Sequence, residues 1–449
     1  MNRRAAMSEK WLTATASDLG RGIGAGDIDP VALTQTYLDA GAAHEFSARI
    51  YARFTPERAL AEAEAAADRA KLGLRRSLLD GVPISWKDLF DTAGIATEAG
   101  SALLKDRVPD ADAEVLRNAT AMGSVCLGKT HLSELAFSGL GLNPVTATSP
   151  CVNDHEAVSG GSSSGAATSV AFNLAAAGIG SDTGGSVRIP AAWNDLVGLK
   201  TTLGRLSVKG SVPLCAKFDT VGPLTRSVED AAELFAMMEG SAPVDLAGVD
   251  ISGARLLVLE NVAMDDVRDA PLSGFKSAVD RLAAAGAVIE HGEISEVPEA
   301  LSMSGILFST EAYAQHGEMI EANPNLMFAE ILERFRSGKD TLAKDYLQAC
   351  MRLDVLRQIW AEKTAGYDAV ILPTSPILPP NLERLMTDSE YYVTENLLSL
   401  RNTRIGNLFG NSGLTLPTGV PSAGIMFLGA PFAEEKLLRL GAGAEKALA

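Results

Sequence analysis

The residues best suited to chemistry are two serines in glycine-rich settings and a lysine well upstream of them. Residues 159–190 read SGGSSSGAATSVAFNLAAAGIGSDTGGSVRIP. Two glycine–serine knots, at 160–165 and 184–186, flank an alanine-rich segment. Glycine lets backbone approach a ligand closely and adopt positive φ, and serine supplies hydroxyls. Ser186 closes SDTGGS just before an expected short helix. There the backbone N–H groups of Thr183, Gly184, Gly185 and Ser186 can converge into a nest for developing negative charge, which a tetrahedral acyl-transfer intermediate needs. A tight turn that merely uses two glycines explains the same residues. Ser162 lies in GSSSG (161–165), a formal G-x-S-x-G nucleophile elbow. That reading requires a downstream histidine, and neither His291 nor His316 stands in a context that marks it. A glycine-rich helix start is its structural alternative.

Either serine needs a base. Lys87 ends a short β-prone run, GVPISWK (81–87), with Asp88 directly after it. A lysine there is ordinarily a surface residue at a strand end. To act as a base it must be neutral, so its pKa must fall from about 10.4 through burial or nearby positive charge.

These groups have to be held by a regular frame. Residues 11–75 read as helical, with Asp29 as N-cap before Pro30. Helix 112–122 precedes a strand at 124–129, and a further helix is expected to open at Lys129. The glycine-rich stretch reads as a helix at 164–176, a buried strand at 177–181, a turn at 182–186 and a short helix to Trp193. Residues 196–202 return toward the core, strands are expected at 255–260, 287–294 and 367–374, a helix at 271–285 and helices throughout 300–362. Residues 402–419 read as helix, loop and strand, and 432–448 as a closing helix. Alternating strands and helices imply an α/β fold with a mixed or parallel sheet.

Four stretches together, GVPISWKD, VSGGSSSGAA, GIGSDTGGSVRIPAA and VGLKTTLGRLS, closely resemble the amidase signature family. Lys87 and Ser162 are 75 residues apart, and Ser162 and Ser186 are 24 apart, in agreement with that family. Similar stretches at 128–144, 219–232, 367–376 and 414–419 extend the resemblance over most of the chain. The resemblance implies Ser186 as nucleophile, Lys87 as base and Ser162 as the relay between them, with a cis peptide between Gly161 and Ser162. It places the oxyanion hole at the N–H groups of 183–186. Ser163 neighbours the relay and Asp182 holds the loop. Arg188 is expected to pair with an internal carboxylate rather than with substrate. By contrast, Ser273 and Lys276 form an S-x-x-K match with no supporting context and read as chance.

The implied activity is hydrolysis of a small-molecule carboxylic amide to an acid and ammonia or an amine, with no metal or organic cofactor. The implied fold is a mixed, largely parallel central sheet covered by helices on both faces, and the implied organisation is one domain over 1–449: an N-terminal helical section (1–75), a catalytic core (76–235) and a mostly helical insertion or substrate cap (240–400). Phe137, Leu140, Leu142, Met303, Phe308 and Tyr313 could shape an apolar acyl pocket, although core packing explains them equally well.

Two rivals stand beside this reading. One is the glutaminase subunit of a tRNA-dependent amidotransferase, which would clamp both charged groups of glutamine. The sequence places no such clamp, and GLGLNP after Phe137 departs from the more polar stretch expected there. The other is a non-catalytic binding protein on the same fold, disfavoured by the intact Lys87, Ser162 and Ser186.

Composition narrows the field further. Of 449 residues, 47% are apolar and 21% charged, the balance of an ordinary globular protein. A net charge of −17 argues against general binding to nucleic acid or anionic membranes. Cys126, Cys151, Cys215 and Cys350 are widely spaced and read as free thiols of a reducing compartment. The five histidines show no metal-ligand spacing. The N-terminus lacks the apolar core of a secretory signal, no apolar run is long enough for a membrane span, and a cytoplasmic setting is expected. A homodimer is the ordinary expectation for a soluble enzyme.

Overall fold

The computed structural model describes residues 10–449. The first nine residues, part of the expected helical section and of the stretch read as lacking a secretory signal, lie outside the described residues. Asp29 caps the helix Pro30–Ala43 as expected, its carboxylate accepting from Ala32 N at 2.9 Å.

Eleven strands form one sheet. They are β1 (Tyr51–Phe54), β2 (Pro83–Lys87), β3 (Val125–Thr130), β4 (Ala177–Asp182), β5 (Val197–Lys200), β6 (Thr220–Thr225), β7 (Arg255–Leu259), β8 (Val288–Gly292), β9 (Ala369–Pro373), β10 (Ser412–Pro417) and β11 (Gly424–Gly429). Their spatial order is β1-β3-β2-β4-β6-β5-β10-β11-β9-β7-β8. The sheet is mixed. Parallel pairing occupies two blocks, β3-β2-β4 and β9-β7-β8, and the strands between and beside them pair antiparallel. Every residue of β2, β3, β4 and β6 is buried, so these strands read as continuous runs rather than as alternating ones.

Helices cover both faces, and adjacent residues of β10 demonstrate it. Leu414 meets the helix Glu434–Leu448, where a Cβ on Gly441 would stand 2.1 Å from Leu414 Cδ2. Gly413, facing the opposite way, lies under Arg188, whose Cδ would be 3.2 Å from an added Cβ. Glycine at these positions lets the helices seat closely on the sheet.

Several expected elements differ. Within 11–75, residues 51–54 form β1, pairing Tyr51 with Thr130. The helix expected from Lys129 is absent because β3 runs through Thr130, held by β1 and β2 on its two sides. Positive φ at Leu135 and Ala136 then limits the following turn to a short 3₁₀ segment. The helix expected over 164–176 is Ser164–Ala171, and Asn173 follows it in the left-handed region. The 240–400 segment is helical in large part but also supplies β7, β8 and β9 to the same sheet. Its helices Ser304–Ala322, Ala329–Arg336 and Ala343–Thr364 are separate, with Pro324 opening a 3₁₀ turn in the first break. Strand β11, GIMFLG, had no counterpart among the expected strands, because a short all-apolar run has no diagnostic period.

Candidate active site

Lys87 is the last residue of β2, and its side chain is fully buried. Its Nζ lies 2.6 Å from Ser162 Oγ, 3.0 Å from Ser163 Oγ and 2.8 Å from Ser181 Oγ. Ser162 and Ser163 immediately precede the helix Ser164–Ala171, which packs on the sheet beside β2 and β4. Ser181 projects from β4, which pairs in parallel with β2. Neighbouring parallel strands and the helix start above them therefore converge on one amine. Burial lowers the Lys87 pKa to about 7, although the Asp182 and Asp219 carboxylates pull it upward. A neutral amine offers two N–H donors and one lone pair. Ser163 donates its own hydroxyl hydrogen to Ser181 O at 3.2 Å, which makes it an acceptor toward Lys87. Ser162 or Ser181 then supplies the hydrogen bond into the lone pair.

Ser186 lies in the loop between β4 and the helix Arg188–Trp193 and is nearly buried. Its backbone carbonyl accepts from Ser163 N at 3.2 Å, which ties the two serine loops together. The Gly161–Ser162 peptide is cis. Ser186 Oγ has no hydrogen-bond partner among the described residues, so the expected Ser162–Ser186 link is not closed in this arrangement. The Ser186 residue instead lines a chamber with Thr183, Gly184, Phe137, Phe308, Arg334 and Arg404.

Asp182 organises the nucleophile loop. Its carboxylate accepts from Gly185 N at 2.9 Å and Val187 N at 3.1 Å, and from Arg188 Nε at 3.0 Å and Nη2 at 2.9 Å. Asn407 Nδ2 adds a further bond at 2.9 Å. Burial alone would raise this carboxyl, but Arg188, Lys200 and Asn407 outweigh it and hold Asp182 well below the usual carboxylate range. Arg188 is thus used internally, as expected, and also donates to Thr403 O and Asn407 Oδ1 at 2.9 and 2.6 Å. One expectation needs correction: the Gly185 N–H is committed to Asp182. Thr183, Gly184 and Ser186 remain as candidate oxyanion donors.

The two histidines considered as bases lie elsewhere. His316 Nε2 is bonded to Pro213 O at 2.7 Å, and His291 sits on the outermost strand β8, 3.1 Å from Glu260. A larger cleft lined by Trp360, Phe409 and Phe432 contains none of the serines or Lys87.

A family model described as Amidase matches residues 32–438. The chain belongs to the amidase family. Membership makes it a hydrolase of carbon–nitrogen amide bonds. A 2-amino-5-chloromuconic acid deaminase from Comamonas testosteroni is 33% identical over 432 residues, covering 93% of both chains. A glutamyl-tRNA(Gln) amidotransferase chain from Chloroflexus aurantiacus is 30% identical over 470 residues, covering 96% of this chain and 95% of its own. The native peptide amidase of Stenotrophomonas maltophilia superposes with a TM-score of 0.81 at 27% identity, covering 97% of each chain.

Within this family framework, four site features were not anticipated. Ser181 immediately precedes the DTGGS run but carries no pattern of its own. Asp219, buried behind the loop, accepts from Thr183 Oγ1 at 2.5 Å. Arg334 and Arg404 lie on helices where an arginine ordinarily marks a solvated face. Among the apolar pocket candidates, Phe137 and Phe308 do line the chamber. Leu140 and Leu142 instead pack in a core cluster with Trp193 and Tyr392, and Met303 and Tyr313 pack against the main core.

Proposed function

We propose that this chain hydrolyses a small carboxylic amide through an acyl-enzyme on Ser186. The observation that carries the reading is Lys87: a buried amine ringed by serine hydroxyls, with no bonded carboxylate among the described residues and a pKa lowered to about 7 by burial.

In the first step Ser186 Oγ attacks the substrate carbonyl carbon. Its proton passes to Ser162 as the Ser162 proton passes to the neutral Lys87 amine. The carbonyl oxygen, now negative, is received by N–H groups of the 183–186 loop. Collapse breaks the carbon–nitrogen bond, and the proton returns by the same route to the leaving nitrogen. Water then adds to the ester, giving the acid and restoring Ser186. A Ser162–Ser186 hydrogen bond is required only once substrate is seated, and catalytic hydrogen bonds are often long before that.

The glutaminase reading has the support of relatives named for the glutamyl-tRNA(Gln) amidotransferase at 27–30% identity. The residues lining the inner chamber include no carboxylate to receive the ammonium of glutamine, and this favours a free-standing hydrolase.

A panel of small amides scored by ammonia or amine release, with Ser186→Ala as the blank, tests the proposal. Release by the wild type alone, and a covalent adduct of a serine-directed probe at Ser186, are expected. Activity that survives Ser186→Ala, or an adduct mapped to Ser162, would sink it.

A further inference from the structure

The chamber over Ser186 contains two cationic groups that no carboxylate among the described residues neutralises. Arg334 and Arg404 both line it, beside Thr183, Gly184 and Ser186. Neither guanidinium has a carboxylate partner among the described residues, and Arg334 Nη1 is buried without any hydrogen-bond partner. By contrast, the fully buried Arg188 is paired with Asp182, and the half-buried Arg58 with Asp112. Two unpaired guanidiniums side by side carry a desolvation cost and repel each other. Burial lowers the pKa of both, and Arg334 lowers Arg404 further, yet at about 10 and about 9 both remain charged at neutral pH.

Their placement is enforced. Arg404 follows Thr403 on the helix Ser389–Leu408, and Thr403 Oγ1 donates to Gly184 O at 2.7 Å. That bond fastens the arginine to the nucleophile loop: a Cβ on Gly184 would lie 3.6 Å from Arg404 Cγ. Arg334 comes from the helix Ala329–Arg336, its guanidinium 4.5 Å from the Phe137 ring centroid, and Arg404 lies 5.8 Å from that of Phe308. The aromatic faces support the cations and leave their N–H groups to the chamber. The chamber is narrow and adjoins a wider outer one that shares Phe308, Arg334 and Arg404. Two glutamates line only the outer chamber. Glu330 accepts from Ser389 Oγ at 2.5 Å, and Glu333 pairs with Arg336 at 3.3 Å.

We propose that Arg334 and Arg404 form a carboxylate clamp, so that the preferred substrate is a small primary amide whose acyl part bears a second, ionised carboxyl group. The proposal rests on the amidase reading of Ser186. Guanidinium groups match a carboxylate in geometry as well as charge, and the narrow inner chamber suits a short acyl chain. Glutamine fits poorly, because its ammonium would enter the same cationic space.

The test compares succinamate and glutaramate with their neutral methyl esters and with L-glutamine, using ammonia release. The wild type is expected to favour the free acids over the esters by roughly 10- to 100-fold in kcat/KM, the worth of hydrogen bonds to a charged group. Arg334→Gln and Arg404→Gln should each collapse that ratio, and Arg404→Lys should restore part of it. Calorimetry of succinate with Ser186→Ala, which needs no turnover, should show binding that Arg404→Gln removes. Amides hydrolysed with no preference for the acid, together with no succinate binding, would overturn the clamp and leave the amidase reading standing. Succinate binding with no amide hydrolysed would do the reverse. Efficient release from glutamine would overturn the exclusion of a second cation.

Discussion

Lys87 Nζ lies 2.6 Å from Ser162 Oγ, and its two other bonded side chains are also serines. A lysine held by a carboxylate stays charged, whereas one held by hydroxyls in a buried site can be neutral near pH 7. The reaction needs the neutral form, so kcat/KM should rise with pH through about 7 and then level off. A rate profile from pH 5 to 9 checks it, and a rate that falls across that interval contradicts a lysine base. Lys87→Ala should lower kcat by roughly 10²- to 10⁴-fold, the usual worth of a positioned general base. Substitution of His291 or His316 should leave the profile's midpoint in place.

Arg188 and Asp182 are both fully buried and are joined by two hydrogen bonds, from Nε and Nη2 to the carboxylate. Arg188→Met would leave an ionised carboxyl in the core, and breaking a buried pair from one side costs about 3–5 kcal/mol. Urea unfolding at pH 7 should show a loss of that order. The folded-state pKa of Asp182 lies below its ordinary 3.8, so its contribution is present above about pH 4 and is lost as pH falls through the folded value. Stability of the wild type should therefore drop below pH 4 more steeply than that of Arg188→Met. Parallel curves would count against this account.

Gly185 takes φ 135°, and a Cβ there would stand 2.1 Å from Thr403 Oγ1. Thr403 is itself bonded to Gly184 O at 2.7 Å, so it cannot withdraw without freeing the nucleophile loop. Gly185→Ala should thus reduce kcat by at least about 10²-fold, since small misplacements of reacting groups cost that much. Gly204→Ala is the matched control. Gly204 also has positive φ, but an added Cβ there meets nothing within 4 Å. Equal effects from the two substitutions would show that backbone strain alone, rather than Thr403, is responsible.

The catalytic candidates were legible in the sequence because glycine and serine in dense, unusual order have few purely structural uses. Lys87 was legible only in their company, since a single lysine after a strand has no local signature. What escaped was whatever depends on distant pairing. Strand β1 looks helical until β3 is beside it. Strands β7 to β9 were expected as strands, but among helices nothing local says that they extend the same sheet. Arg334 and Arg404 resemble any arginine on a solvated helix face. Only packing of Phe137 and Gly184 against them reveals a cationic chamber. The commitment of Gly185 N–H to Asp182 was equally hidden, because sequence places donors in a loop without saying where each one points.

Asp219 offers a way to tune the base without touching it. Burial raises its pKa to about 6, against the hydrogen bonds it accepts from Thr183, Leu214 N and Cys215 N. When ionised, it also pulls the Lys87 pKa upward. Asp219→Asn keeps the shape: the amide oxygen can still accept from the two backbone N–H groups, and the Thr183 hydroxyl can turn to accept from the amide nitrogen. The charge alone is removed. The rising limb of kcat/KM should then move to lower pH than in the wild type. Stability carries the second signature. A carboxyl whose folded pKa exceeds its unfolded 3.8 makes the folded state bind the extra proton, so wild-type stability falls as pH rises from about 4 to 6. The variant should lack that fall. A limb that stays in place or moves upward would show that Asp219 does not act on Lys87.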